Sequence, residues 1–450
     1  MIDTIKFGGS CLKDSESIKR VIGLIKSGNN NKAIIVSAFY GITDLLSNLL
    51  KKSLKDNRII EKELDLIKEK HLSILKEFGI SELGHDFNKR IFKLRRLFWG
   101  IHYTEEITDL LKASVLSYGE RFSAILISKL LNKSGVNSFF VETDKNCIIT
   151  DNSYFNATAL LEKTKDNFHK NILHKINRGK VAVITGYFGS NVDGKTTTFG
   201  RNGSDYAASV VAYSLDSKEL ILWKDVRGFM SADPRIVKDS KQIKTLSYYE
   251  AAELSYFGAK IIHPGTFEPL MKKKIKILIK NILEPEQKAT IIHKNYSKQT
   301  SVIKSIAYNN AISVLRVFGT RVGEKPGIIQ QIGNNLATKG INIYSIITSQ
   351  TCINLILNKD DSKNAYNALS NLCGGIIKRI ELEENLSLIG LVGAGMKSTK
   401  GIFARVFKTV SDSGINVEML SGGASDVAYY IIVKKRQLKI AIKSIHREFF

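Results

Sequence analysis

Between Thr185 and Asp205 the sequence reads TGYFGSNVDGKTTTFGRNGSD, a glycine-rich stretch that carries Arg201 and Asp205. The backbone N–H groups of such a stretch, with the positive end of a following helix, suit an anion. Arg201 offers a planar fork for a carboxylate or phosphate, and Asp205 stands where the helix should begin and negative charge is favoured. Taken alone, the stretch also reads as an ordinary polar connection. Near the N-terminus, Lys6 lies at the end of an apparent strand, Ile2 to Phe7, that runs straight into Gly8, Gly9 and Ser10. Two glycines there let phosphate oxygens approach the backbone, although K-x-G-G by itself has little specificity.

A competing motif lies inside the same stretch. Gly189, Gly194, Lys195 and Thr196 fit G-x-x-x-x-G-K-[ST], the phosphate loop of a large nucleotidase class. In that motif the helix begins at the Lys and Thr. Here Thr196 to Phe199 favour β structure, and Gly200 and Gly203 interrupt the next turn of chain, so the match reads as coincidence.

The elements that would position these residues are those of a parallel α/β sheet. Ile2 to Phe7 is a strand, Ser15 to Lys26 a helix and Ala33 to Ser37 a second strand; the strand ends in a further glycine-bearing loop, Ser37 to Thr43. Residues 44 to about 133 read as mostly helical, with Leu64, Ile67, Leu72, Leu75 and Phe78 near helical spacing. Within them Glu120, in Tyr118-Gly119-Glu120, reads as a surface residue on sequence alone. Val181 to Ile184 is a buried strand ahead of the glycine-rich stretch, and Tyr206 to Leu215 the helix after it. Leu220 to Trp223 is a strand running into Lys224, Asp225 and an irregular loop to Arg235, the place where α/β proteins put ligands. Tyr248 to Phe257 is helical and leads to Gly258 and Lys260.

Composition narrows the function classes. At 450 residues and 43% hydrophobic content the chain is globular and long enough for two or three domains. No apolar run approaches the ~20 residues of a membrane span, and the N-terminus lacks a basic region followed by an apolar core. Cys11, Cys147, Cys352 and Cys373 are scattered, which argues against a disulfide framework or a zinc site and for the cytoplasm. A net charge of +24 raises the question of nucleic acid. The lysines are spread along the chain, and the clusters at Lys272–Lys274 and Lys434–Arg436 are not interleaved with aromatics. Solvated faces are the reading, with neither a nucleic-acid nor a membrane partner.

Beyond Pro285 the pattern becomes a duplicated β-α-β unit. KGINIYSI in one copy matches SGINVEML in the other. The second copy ends at Phe450 one strand short, and Ser301 to Ala307 is a spare strand upstream of the first. Pairing the two leaves no open edge, so the first unit is expected to be inserted within the second.

Together, KFGGS at 6–10, GIT at 41–43, YGE at 118–120, TFGRNGSD at 198–205, DVRGFMSADPR at 225–235 and ELSYFGAKIIHP at 253–264 resemble the aspartate kinase family. The resemblance spans essentially the whole chain. It implies an α/β amino-acid-kinase three-layer sandwich with a mostly parallel central sheet over residues 1–295. Two α+β, ferredoxin-like ACT domains follow, over 296–384 and 385–450, the second completed by strand 301–307. The implied reaction is phosphorylation of the β-carboxylate of L-aspartate by ATP, the first step towards lysine, threonine and methionine. Mg²⁺ would come with the nucleotide and no metal would be held by the protein alone. An amino-acid effector at the ACT domains and a homodimer or higher homo-oligomer are implied as well.

By the same resemblance Lys6 and Lys260 neutralise phosphates, Gly8 and Gly9 admit them, and Asp205 orients the two lysines. Arg201 clamps the substrate α-carboxylate, Glu120 takes its α-amino group, and Thr43 and Ser204 complete the pocket. Lys224, Asp225, Met230 and Arg235 line the nucleotide site. The chain departs from the family at Asn202, usually Gly; at Lys224, commonly a small hydroxyl residue; and at Met230, often Tyr. Two other readings stay open. One is a family member acting on a different carboxylate, and the other is a catalytically silent amino-acid sensor, which the presence of Lys6, Asp205 and Lys260 opposes.

Overall fold

The computed structural model describes residues 1–28, 30–258, 261–294, 302–396 and 398–450. Its chain packs into two units. The first comprises residues 1–228, 244–248 and 261–295, and the second residues 229–243, 249–260 and 296–450.

The first unit is built on β1 (Ile2–Phe7), β2 (Asn31–Val36), β3 (Ser138–Val141), β4 (Val181–Thr185), a hairpin of β5 (Phe188–Ser190) and β6 (Thr196–Thr198), then β7 (Glu219–Lys224), β8 (Thr245–Ser247), β9 (Lys276–Asn281) and β10 (Thr290–His293). Its main sheet has the order β3-β4-β2-β1-β7-β9-β10-β8, parallel throughout except between β9 and β10. Ala33 to Val36 and Ala182 to Thr185 are each wholly buried at successive positions. A strand buried on both faces has helices above and below it, which is the three-layer arrangement. Phe7 lies opposite both Val36 and Trp223, and Val36 opposite Thr185. The loops after β1, β2, β4 and β7 therefore emerge along one edge of the sheet.

Helices Ile42–Ser53, Arg58–Lys76, His85–Thr104, Asp109–Leu116 and Tyr118–Lys133 fill the expected helical region. Ile60, Leu64, Ile67, His71 and Leu75 form one buried stripe on the second of them. On the third, Lys89, Lys93 and Arg96 are exposed, Arg90 pairs with Glu142 and Arg95 with Glu61, and Phe87, Ile91, Leu94 and Phe98 are buried. Among the described residues no helix is long and apolar enough to cross a membrane.

The second unit has one antiparallel sheet made of β11 (Ser305–Gly319), β12 (Ile343–Thr348), β13 (Cys352–Asn358), β14 (Ile377–Val392), β15 (Met419–Ser421) and β16 (Ala428–Lys434), in the order β12-β13-β11-β14-β16-β15. Ser305–Asn309 of β11 pairs with Leu388–Val392 of β14, the part of β14 that also pairs with β16. Ile312–Phe318 of β11 pairs with β13 and with the first part of β14. The later part of the expected strand 301–307 begins β11, which runs on to Gly319 past an irregular register at Asn309; Ser301 lies outside the described residues. Separate cores lie under the two halves: Leu315, Ile332, Leu336, Leu355 and Leu369 under one, and Ile306, Ile389, Val406, Ile431, Ala441 and Ile445 under the other. Ala232, Ile236 and Val237 belong to this second core, so the segment after β7 packs with residues far along the chain.

Candidate active site

Lys6 stands opposite Leu222, and Phe7 opposite Trp223, which puts Lys224 level with Gly8 at the strand ends. Into this edge projects Asp205, from the first turn of helix Gly203–Ser214. It is wholly buried, with Oδ1 2.6 Å from Lys6 Nζ and Oδ2 2.7 Å from Lys224 Nζ. Burial disfavours the carboxylate, but Lys224 and Lys6 outweigh that penalty and hold the group at about 2. Burial also draws the Lys224 ammonium below its ordinary value, with Asp205 acting against it. The lysines expected on Asp205 were Lys6 and Lys260. Lys260 lies outside the described residues, and the second lysine seen on Asp205 is Lys224.

The helix starts earlier than its apolar pattern implied. Asn202 adopts a left-handed conformation at φ 56°, which Asn tolerates better than most residues, and Gly203 opens the helix. The first turn thereby takes in Gly203, Ser204 and Asp205. Ser204 is buried against Gly186, where an added Cβ would sit 2.7 Å from the serine Cβ and 3.0 Å from Val36 O.

Glu120 is corrected from surface to interior, with 4% of its surface exposed. The cause is Gly119: a Cβ there would come within 2.6 Å of Ala38 Cβ, so only glycine lets the loop after β2 close on this helix. The Ala38 N–H donates to the Glu120 carboxyl, while Oε2 has no partner among the described residues. Burial pushes the group up to about 8, against the pull of the Ala38 N–H and of Lys6.

That shift fixes the sign of a stability effect. The folded state holds the Glu120 proton more tightly than the unfolded chain, so stability from this group is present below about pH 4.5 and lost as pH rises through about 8. Glu120→Gln removes the charge that must otherwise be buried. Its melting temperature should exceed that of the parent clearly at pH 9 and hardly at pH 5, with a gain of at most ~5 kcal/mol. An equal difference at both pH values would show that Glu120 titrates normally.

A supporting network escaped the sequence reading. Arg121, next to Glu120, pairs with Asp144 at 2.5 Å and Glu142 at 3.1 Å, and Asp144 also accepts from Thr196 Oγ1 at 2.9 Å. It ties the start of helix Tyr118–Lys133 to the loop after β3 and to β6. The available signal was a carboxylate just past a strand, as at Asp225.

The other expected site residues are more dispersed. Gly8 is buried, and a Cβ on Gly9 would meet Ala38 O at 3.3 Å. Thr43 is half-buried on helix Ile42–Ser53, Arg201 is exposed and has no ion pair among the described residues, and Asp225 is exposed after β7. Met230 and Arg235 belong to the second unit. There the Met230 carbonyl accepts from Ser305 Oγ, and the exposed Arg235 pairs with Asp233 at 2.7 Å. Among the described residues no group of three or more His, Cys, Asp or Glu could hold a metal. All four cysteines are free thiols.

The G-x-x-x-x-G-K-T match occupies the β5–β6 hairpin, not the mouth of a helix. Asn191 Oδ1 accepts from the Asp193 and Lys195 amides, and Gly189 is needed because a Cβ would meet Ile148 O at 2.7 Å. Its glycines serve a turn and a close contact.

A family model described as the amino acid kinase family matches residues 4–281, and one described as an ACT domain matches residues 389–449. The chloroplastic aspartokinase 2 of Arabidopsis thaliana is 31% identical over 463 residues, covering 99% of this chain and 84% of that protein. A bifunctional aspartokinase/homoserine dehydrogenase of Buchnera aphidicola is 27% identical over 99% of this chain and 56% of its own length. This chain spans about half the length of the first curated relatives it matches. The structure of E. coli aspartokinase III in complex with aspartate and ADP, in the R-state, matches with a TM-score of 0.85 at 25% identity, covering 100% of this chain and 99% of that one. The same enzyme with lysine and aspartate, in the T-state, gives 0.82.

Proposed function

Because this chain belongs to the amino acid kinase family, and within it to the aspartokinases, we propose that it transfers the γ-phosphate of ATP to the β-carboxylate of L-aspartate. The product would be 4-phospho-L-aspartate, at the head of lysine, threonine and methionine biosynthesis in the cytoplasm. The observation that carries the reading is the buried Lys6–Asp205–Lys224 cluster at the strand ends, close to a buried carboxylate, Glu120, with a free oxygen. Positive charge for phosphates and a buried carboxyl group that an entering ammonium would ionise are what these two substrates require together.

In this reading Lys6 and, by the family pattern, Lys260 neutralise the phosphates, which Gly8 and Gly9 admit to the backbone, and Lys224 belongs to the nucleotide site. Asp225, exposed after β7, lines the nucleotide. Glu120 receives the aspartate α-amino group, Arg201 its α-carboxylate, and Thr43 and Ser204 close the pocket. A carboxylate nucleophile with a pKa near ~4 is ionised at neutral pH, so no general base is needed and catalysis is alignment plus charge neutralisation. The side chains present suit Mg²⁺ arriving on the nucleotide, where it would neutralise phosphate charge. Residues 1–295 would be the catalytic stretch. The units over 296–384 and 385–450, with strand 301–307 completing the second, would bind an end-product amino acid and join copies of the chain.

Hydroxylamine trapping tests this directly. Purified chain with ATP and L-aspartate should give aspartyl hydroxamate, at a rate lowered by lysine, threonine or both; no hydroxamate from aspartate under any of these conditions would refute the assignment.

Arg201→Lys should raise the KM for aspartate at least ~10-fold and leave that for ATP within about two-fold, since an ammonium cannot reproduce a bidentate fork. A rise confined to the KM for ATP would place Arg201 on the nucleotide instead.

A further inference from the structure

Lys224 is the residue of the cluster that the family pattern does not account for. It ends β7, directly beside β1, and the register puts Lys6 and Leu222 at one level. Side chains alternate along a strand, so Lys6, Gly8, Leu222 and Lys224 share a face of the sheet. Asp205 presents its two oxygens to that face, one to each ammonium, at 2.6 and 2.7 Å. No other ion pair holds Lys6 or Lys224 among the described residues.

One carboxylate therefore serves two ammoniums, leaving a surplus positive charge. The Lys6 side chain is 6% exposed, that of Lys224 15% and that of Asp205 1%. A surplus charge so far from water is costly unless an anion completes it. Lys224 gives one of its three N–H donors to Asp205 Oδ2 and Lys6 is ion-paired to Oδ1, so donors remain on both ammoniums. A tetrahedral anion with several oxygens, entering beside Gly8, matches two ammoniums held a fixed distance apart by one carboxylate.

We propose that Lys224 is a second phosphate-binding ammonium of the transfer site, clamped beside Lys6 by Asp205, and that this chain uses it to stabilise the phosphoryl group in flight. The proposal deepens the aspartokinase reading above and rests on it. As the aspartate carboxylate oxygen bonds to the γ-phosphorus, the bond from that phosphorus to the β,γ-bridging oxygen breaks and its electron pair leaves with ADP. No proton need move. Lys224 contributes fixed charge where the equatorial oxygens gather it, without reorganising during the reaction.

The competing role is purely structural, with Lys224 a counterion that keeps Asp205 ionised. Binding of ADP and of adenosine, measured by calorimetry on the full chain and its variants, separates the two. Lys224→Met should weaken ADP about 10-fold or more, leave adenosine within two-fold, and lower kcat at least ~10-fold with the KM for aspartate nearly unchanged. Lys224→Arg, which keeps the charge if Met proves unstable, should retain the preference for ADP over adenosine. Equal losses for both ligands, or no loss for ADP, would overturn the proposal. A parent chain that prefers ADP through Lys224 yet never phosphorylates aspartate would sink the aspartokinase reading and uphold the role of Lys224.

Discussion

Lys6→Ala should lower kcat by about 10³-fold, while Lys195→Ala should leave it within about three-fold. Both lysines sit in glycine-bearing motifs that resemble phosphate loops, so a motif scan cannot rank them. Their surroundings can. Lys6 is buried at the end of β1, 2.6 Å from a fully buried carboxylate and beside glycines that leave the backbone open. Lys195 lies in the β5–β6 hairpin, where its amide is engaged by Asn191 within a turn. A charge in a site shielded from water acts on a transferring phosphoryl group far more strongly than one in solvent. Steady-state rates at saturating ATP and aspartate decide the order, and a larger loss at Lys195 would revive the nucleotidase-loop reading.

Asp205→Asn should cost about 3–5 kcal/mol of stability and most of the activity together. The substitution leaves two ammoniums side by side with no anion between them, and neither has another partner among the described residues. Their repulsion would push both lysines from position, so the loss in kcat should approach that of Lys6→Ala. Urea unfolding reads the stability term. The parent should show its pH dependence too. A carboxyl held at about 2 lends stability that is full above its unfolded value near 4 and is lost as pH falls through 2, and Asp205→Asn should remove that acid limb. A stable Asn variant with the acid limb intact would mean that the three groups are not coupled.

Much of this layout was legible in the sequence. Strand β4 and helix Ser15–Lys26 fall where the apolar run Val181 to Ile184 and the helical spacing put them. Those signals are local, and buried parallel strands spell themselves out as unbroken apolar runs. The features that escaped depend on residues distant along the chain. The burial of Glu120 comes from Gly119 receiving Ala38, and nothing near Glu120 announces that contact. Asp144 and Arg121 form a pair only once β3 and helix Tyr118–Lys133 are side by side. Lys224 looked like a departure from a pattern, and its meaning appeared with Asp205 on its ammonium. The expected strand 301–307 ends well short of Gly319, yet β11 runs on past Asn309 because β14 continues alongside.

The most direct measurement is the identity of the phosphorylated carboxyl group. Incubation of the purified chain with ATP, Mg²⁺ and L-aspartate, followed by borohydride, reduces an acyl phosphate to the alcohol and preserves which carboxylate carried it. Transfer to the β-carboxylate predicts homoserine, formed only with ATP present and not by Lys6→Ala. Recovery of 3-amino-4-hydroxybutanoate, or of no alcohol from aspartate while another amino-acid carboxylate yields one, would contradict it.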